Sequence, residues 1–101
     1  GVIVECDEDQ HAHITPECED VRMRNLAERL KGPVVFVRFN PDGYTPTAGA
    51  TTWPIRDRYK VLVHWVREAI GAGPRPGDTI SVLQLFYDGF DPAAPVWRRL
   101  L

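Results

Sequence analysis

The chain has 101 residues, enough for one domain with a single modest core and too few for two. Its hydrophobic content of 44% and aromatic content of 10% exclude a disordered segment, and no apolar run has the length of a bilayer-spanning helix. The net charge of -2 hides an asymmetry: residues 1–20 hold seven of the fourteen acids and no Lys or Arg, leaving the rest with twelve basic against seven acidic side chains. An acidic knot on an otherwise basic body suits a metal site facing a polyanion. Two cysteines, Cys6 and Cys18, are too few for a disulfide scaffold. With no secretory leader in view, they read as reduced thiols of an intracellular protein, in cytoplasm or nucleus, or as small buried residues.

Val2-Ile3-Val4 reads as a buried strand that delivers Glu5 and Asp7 at its end. Period two puts these carboxylates on one face and Cys6 on the other. Because Gly1 stands where methionine would open a chain and the strand follows at once, the sequence reads as a piece of a longer protein with further domains. Thr15-Pro16 predicts a helix start, a hydroxyl cap followed by proline at the first helical position. Met23, Leu26, Ala27 and Leu30 form the apolar stripe of that helix, and Gly32-Pro33 stops it.

Val34 to Phe39 is nearly continuous apolar sequence, as in a central strand covered on both faces, and "NPDG" (40–43) is a turn. Residues 44–57 read as a loop with a short hairpin strand around Thr51 to Trp53. Asp57 caps a second predicted helix over 58–70, with Tyr59, Leu62, Val63, Val66 and Ile70 as its stripe, and "GAGPRPGD" ends it. Thr79 to Phe86 is a third strand, and Val96 to Leu101 a final helical turn. The order predicts a single α/β domain over 1–101, a mixed β-sheet flanked by helices.

Within "ECDEDQH", Glu5 and Asp7 on one strand face suit Mg²⁺ (or Mn²⁺), which prefers oxygen ligands and keeps several waters. Such an ion lowers the pKa of a bound water and neutralises a phosphate under attack. His11 can take a proton from that water. Glu19 and Arg22 lie one helical turn apart; Arg22 can meet a phosphate, and Glu19 can orient His11 or add a ligand. The bland alternative is a solvated strand end with Arg22 paired to Glu19. A zinc alternative uses Cys6, His11, His13 and Cys18, spaced C-x4-H-x-H-x4-C, which is not the usual spacing of zinc pairs. Phosphate-loop, dinucleotide-binding and nucleophile-elbow motifs are absent.

The segment "VIVECDEDQH…ECEDVRMRNLAERLKGPVVFVRFNPDGY" resembles the restriction-endonuclease-like, PD-(D/E)XK superfamily, in particular its very-short-patch-repair-like branch. There a strand ending E-x-D is followed by His, by acid-x-x-Arg at a helix start, and by a strand ending Arg-Phe. It is also similar to proteins of giant DNA viruses and algae that carry "DENQH", "CENKRM", "FIRFNPDDY" and "LFYD". Here these stand as "DEDQH" (7–11), "CEDVRM" (18–23), "FVRFNPDGY" (36–44) and "LFYDG" (85–89).

The resemblance implies a Mg²⁺-dependent endonuclease acting on DNA. Glu5 and Asp7 would be the metal pair, His11, Glu19 and Arg22 catalytic residues, and Arg22 and Arg38 contacts to nucleic acid. Arg38, a charge inside an apolar strand, would point toward the site; its plain alternative is an ion pair with a nearby carboxylate. Two departures stand out. The superfamily's lysine, two residues after the strand carboxylate, is replaced by Asp7, and its first acid, on an upstream element, has no counterpart in this sequence. The resemblance therefore implies a restriction-endonuclease-like core lacking its N-terminal elements. A nuclease fold that binds nucleic acid or protein without cutting is the rival reading.

Overall fold

A computed structural model of the chain describes residues 1–12, 14–47 and 50–101. Three apolar runs form parallel strands, β1 (Val2–Cys6), β2 (Val34–Phe39) and β3 (Ile80–Leu85), and β4 (Val96–Arg99) adds to β3 antiparallel. The sheet order is β1-β2-β3-β4, so the fold is α/β with a four-stranded mixed sheet. Helices α1 (Pro16–Leu30) and α2 (Ile55–Ala72) make the two parallel crossings. Among the described residues, no helix is long and apolar enough to cross a membrane.

Strand period two divides the core into two layers. Val34, Phe36, Ile80 and Val82 pack with Met23 and Ala27 of α1. Val35, Val37, Phe39, Leu83 and Leu85 pack on the other face with Ala69, and Leu62, Trp65 and Val66 of α2 join them. β2 is therefore buried along its whole length. Both crossings step the same way across the sheet, yet their helices cover opposite faces. They must be of opposite hand, and one is left-handed against the usual strong preference.

The cap of α1 is as expected: Thr15 Oγ1 accepts from the Cys18 N–H at 3.3 Å, with Pro16 at the first helical position. Lys31, at φ 52°, ends the helix in the left-handed region just before Gly32-Pro33. Several other expectations are corrected. β1 is an edge strand, not a buried one, and Val4 is 48% exposed. No strand forms around Thr51 to Trp53. α2 begins three residues before the predicted start, behind Pro54, so Asp57 sits in its first turn rather than capping it.

Tyr59, Val63 and Ile70 of the predicted α2 stripe are exposed, at 52%, 48% and 69%, although the Tyr59 ring still touches Phe39 with centroids 5.7 Å apart. The buried side is rotated toward Leu62, Trp65, Val66 and Ala69. Leu30 is likewise half-exposed. Val96 to Leu101 is not a helical turn: its backbone pairs with β3, and Leu100 is buried beside α1. Both cysteines are free thiols and both are exposed, so neither is a small core residue.

Candidate functional site

Register assembles the site before any side chain is considered. Glu5 pairs with Arg38 across β1 and β2, and Arg38 with Gln84 across β2 and β3. These positions lie on the α1 face, as Ile3, Phe36 and Val82 do two residues earlier. Asp7 follows the end of β1, its N–H still donating to Phe39 O at 2.7 Å, and is completely buried. α1 covers this corner with its first turns and brings Glu19 and Arg22 over it.

The six residues singled out from the sequence form one network. Arg22 Nη1 lies 2.8 Å from Glu5 Oε2, and Arg22 Nη2 lies 2.8 Å from Glu19 Oε2. Buried Arg38 donates from Nε to Asp7 Oδ2 and approaches Glu19 Oε2 with Nη2 at 2.8 Å. His11 Nδ1 is 3.1 Å from Arg38 Nη2 and 3.4 Å from Glu19 Oε1. A guanidinium can only donate, so Nδ1 is the acceptor and Nε2 carries the imidazole hydrogen in this arrangement. Nε2 faces Asp7 Oδ1 at 3.5 Å, a polar approach rather than a formed hydrogen bond.

His11 reaches this point through an unusual backbone. Asp9, Gln10 and His11 occupy the left-handed region consecutively, at φ 50°, 56° and 53°. That conformation costs about 1–2 kcal/mol per non-glycine residue. Offsetting bonds hold the turn: the Asp9 N–H donates to Asp42 Oδ2 at 2.7 Å, and the Gln10 N–H to Asp7 O at 3.0 Å. The Gln10 amide clasps Asp88 twice, Nε2 donating to Oδ1 at 3.0 Å while Oε1 accepts from the Asp88 N–H at 2.9 Å. Gln10, His11, Glu19, Arg38, Gln84 and Tyr87 line a cavity of about 290 Å³ over the network.

Charge and burial set the ionisation of the cluster. Burial raises the Glu19 carboxyl, but the Arg22 hydrogen bond and the charges of Arg38 and Arg22 win and hold it below the usual range. The carboxylates of Glu5 and Glu19 push the Arg22 guanidinium well up. Burial opposes the Arg38 charge, yet the hydrogen bond to Asp7 and the surrounding negative groups keep it firmly protonated. Tyr87 donates its phenolic hydrogen to Asp7 Oδ2; burial first, then that bond, drives its pKa far above the ordinary phenol.

Three carboxylates thus meet two guanidinium groups, and two buried carboxylate oxygens have no hydrogen-bond partner among the described residues: Glu5 Oε1 and Asp7 Oδ1. Buried carboxylate oxygens are ordinarily satisfied, so this pair of orphans fits a hard cation. No group of three or more His, Cys, Asp and Glu among the described residues is arranged to hold a metal. Two protein oxygens suit Mg²⁺, which keeps several waters, whereas a structural zinc site needs a closed set of four ligands, mostly N and S. The zinc arrangement finds no support: Cys6 and Cys18 are both exposed, His11 faces Asp7, Glu19 and Arg38, and His13 lies outside the described residues.

The expected phosphate contacts differ from the geometry found. Both terminal nitrogens of Arg22 are held by carboxylates, and Arg38 is spent on Asp7, Glu19 and His11. The ion-pair alternative describes both arginines in this state. Tyr87 is the main residue that reasoning from spacing missed, although it sits inside the noted "LFYDG". Gln84 and Arg98 were also missed; Arg98 lines the same cavity and pairs with Asp20 at 2.8 and 3.2 Å. Comparison with known proteins returns no match: no family model, no curated protein and no solved structure.

Proposed function

We propose that this chain is a metal-dependent nuclease of the restriction-endonuclease-like fold, hydrolysing DNA phosphodiester bonds with Mg²⁺ or Mn²⁺ at Glu5 and Asp7. The observation that carries the reading is the pair of orphaned buried oxygens, Glu5 Oε1 and Asp7 Oδ1, in a cluster with one carboxylate more than it has guanidinium groups. When bound there, a divalent cation supplies charge neutralisation for phosphodiester hydrolysis and makes water a better nucleophile. The chain's own residues do the rest. Arg38 and Tyr87 fix Asp7 through Oδ2, so Oδ1 is the oxygen left to bind. Arg22 fixes Glu5 through Oε2 and leaves Oε1.

His11 serves as the proton carrier in this reading. Its Nε2 edge faces Asp7 Oδ1, while Nδ1 is held by Arg38 Nη2 at 3.1 Å beside Glu19 Oε1 at 3.4 Å, so the ring is oriented toward the proposed metal oxygen. The 290 Å³ cavity above it, with Gln10 and Gln84 on its wall, is the approach for the scissile phosphate. DNA as the substrate class, and a place in the cell interior, rest on the motif resemblance together with the basic excess outside residues 1–20.

One observation favours a second reading, a nuclease-fold module that binds without cutting. Arg22, Arg38 and Arg98 are all committed to carboxylates, so the network is stable without a phosphate. Incubation with DNA and Mg²⁺ or Mn²⁺ separates the two. Metal-stimulated cleavage abolished by Glu5→Ala supports the nuclease, and DNA binding with no cleavage under any divalent cation supports the module.

A further inference from the structure

Two arginines line the cavity over the carboxylate network, Arg38 and Arg98, and they differ in what holds them. Arg38 is buried and spans Asp7, Glu19 and His11. Arg98 belongs to β4, where it pairs with Val82 of β3. Cross-strand partners point to one side of a sheet, so Arg98 shares the α1 face with Val82. There its guanidinium forks onto Asp20 of α1, Nη2 to Oδ1 at 2.8 Å and Nη1 to Oδ2 at 3.2 Å. Asp20 lines the same cavity.

Exposure decides which of these pairs can be exchanged. The side chains of Arg98 and Asp20 are 41% and 28% exposed, so water solvates each of them when the pair opens. Such a pair contributes little net stability, because what it loses in contact it regains in hydration. Opening the Arg38 pairs instead strands Asp7 and Glu19 in the interior without their counter-charge, which is strongly unfavourable. Arg22 is closed onto two carboxylates with both terminal nitrogens and is not among the residues lining the cavity. Of these three arginines, Arg98 alone changes partner at small cost. A phosphodiester offers a guanidinium fork the same two-oxygen edge as a carboxylate. Asp20 therefore stands where an incoming phosphate would bind and, while it stays there, repels one.

We infer that Arg98 is the phosphate-binding residue of this cavity and that Asp20 is an internal anion which the DNA backbone displaces. The inference rests on the proposed reading of the cavity as the approach for a DNA phosphate. It gives the two partners opposite effects: loss of Arg98 weakens DNA binding, and loss of the Asp20 charge strengthens it. A pair that only braced α1 against β4 would give losses from both.

Anisotropy of a fluorescein-labelled DNA duplex titrated with the chain in Ca²⁺, another oxygen-ligated cation, reads affinity without requiring cleavage. Arg98→Gln should weaken binding about three- to tenfold and make the slope of log affinity against log salt shallower by about 0.9. Asp20→Asn should tighten binding about threefold, and that gain should vanish in the Arg98→Gln background. Asp57→Asn, which opens an exposed pair with Lys60 on α2, is the control for charge alone and should change affinity far less. Losses from both Arg98→Gln and Asp20→Asn would overturn the inference, as would no binding by any variant. So would an Asp20→Asn gain that survives without Arg98, or an equal gain from Asp57→Asn. Failure of the nuclease reading looks different: opposite shifts with no cleavage under Mg²⁺ or Mn²⁺ leave the phosphate subsite standing and remove only the cutting.

Discussion

Tyr87 donates its phenolic hydrogen to Oδ2 of Asp7, a residue 80 positions earlier in the chain. The same oxygen accepts from Arg38 Nε, so one carboxylate oxygen is doubly held while its twin, Oδ1, has no hydrogen bond among the described residues, with His11 Nε2 nearby at 3.5 Å. That division fixes an aspartate at a strand end and leaves Oδ1 as the oxygen that the proposed function gives to the cation.

Tyr87→Phe should therefore destabilise the fold by about 1.5–3 kcal/mol in urea unfolding, the range for a hydrogen bond to a charged group. It should also weaken divalent-cation binding, because Asp7 loses half of its anchorage. Tyr87 holds its proton more tightly folded than unfolded, so its contribution is complete below the ordinary phenol value of 10.0 and is lost as pH rises above it. Stability measured above pH 10 should accordingly fall more steeply for the wild type than for Tyr87→Phe.

Arg38→Met should be the most damaging single change at the site. Asp7 is completely buried, Glu19 nearly so, and both lose their shared guanidinium. Breaking a buried pair from one side costs about 3–5 kcal/mol, which chemical denaturation would read directly. Arg38→Lys should rescue only part of it, since an ammonium cannot span Asp7, Glu19 and His11 together.

Acid should loosen the corner through Glu19. Its carboxyl titrates below its ordinary value of 4.5 in the folded chain, so the stabilisation is present above that pH and is lost as pH falls beneath it. Thermal unfolding followed from pH 6 to pH 3 should show a steeper decline for the wild type than for Glu19→Gln.

Cys6 is exposed, yet its thiol should be sluggish. Partial burial and then the charges of Glu8, Asp7 and Asp42 raise its pKa above 9.0. Alkylation of Cys6 at pH 7.5 should run several-fold slower than that of a free thiol such as glutathione. Glu8→Gln should speed it.

The site was more legible in the sequence than parts of the fold were. Glu5, Asp7 and Arg38 could be placed by strand period, and Glu19 with Arg22 by helix spacing, because local periodicity fixes which side chains share a face. Tyr87 could not be placed that way. It lies just past a strand end, where period no longer applies, and its turn to Asp7 depends on Phe86 in the left-handed region at φ 63°. The α2 stripe was misread because Tyr59, Val63 and Ile70 are apolar yet half-exposed or more, Tyr59 touching only the Phe39 ring at the margin of the core. β4 was hidden for a different reason: "VWRR" has little apolar alternation, and its strand form comes from the open edge of β3.

The most direct test of the central claim is a DNA-cleavage assay with Mg²⁺ or Mn²⁺, run on the wild type and on Glu5→Ala in parallel. Metal-dependent cleavage is expected from the wild type, with a loss of about a hundredfold or more in the variant, which lacks the carboxylate carrying one of the two orphaned oxygens. Cleavage undiminished by Glu5→Ala, or none by the wild type with either metal, would contradict it.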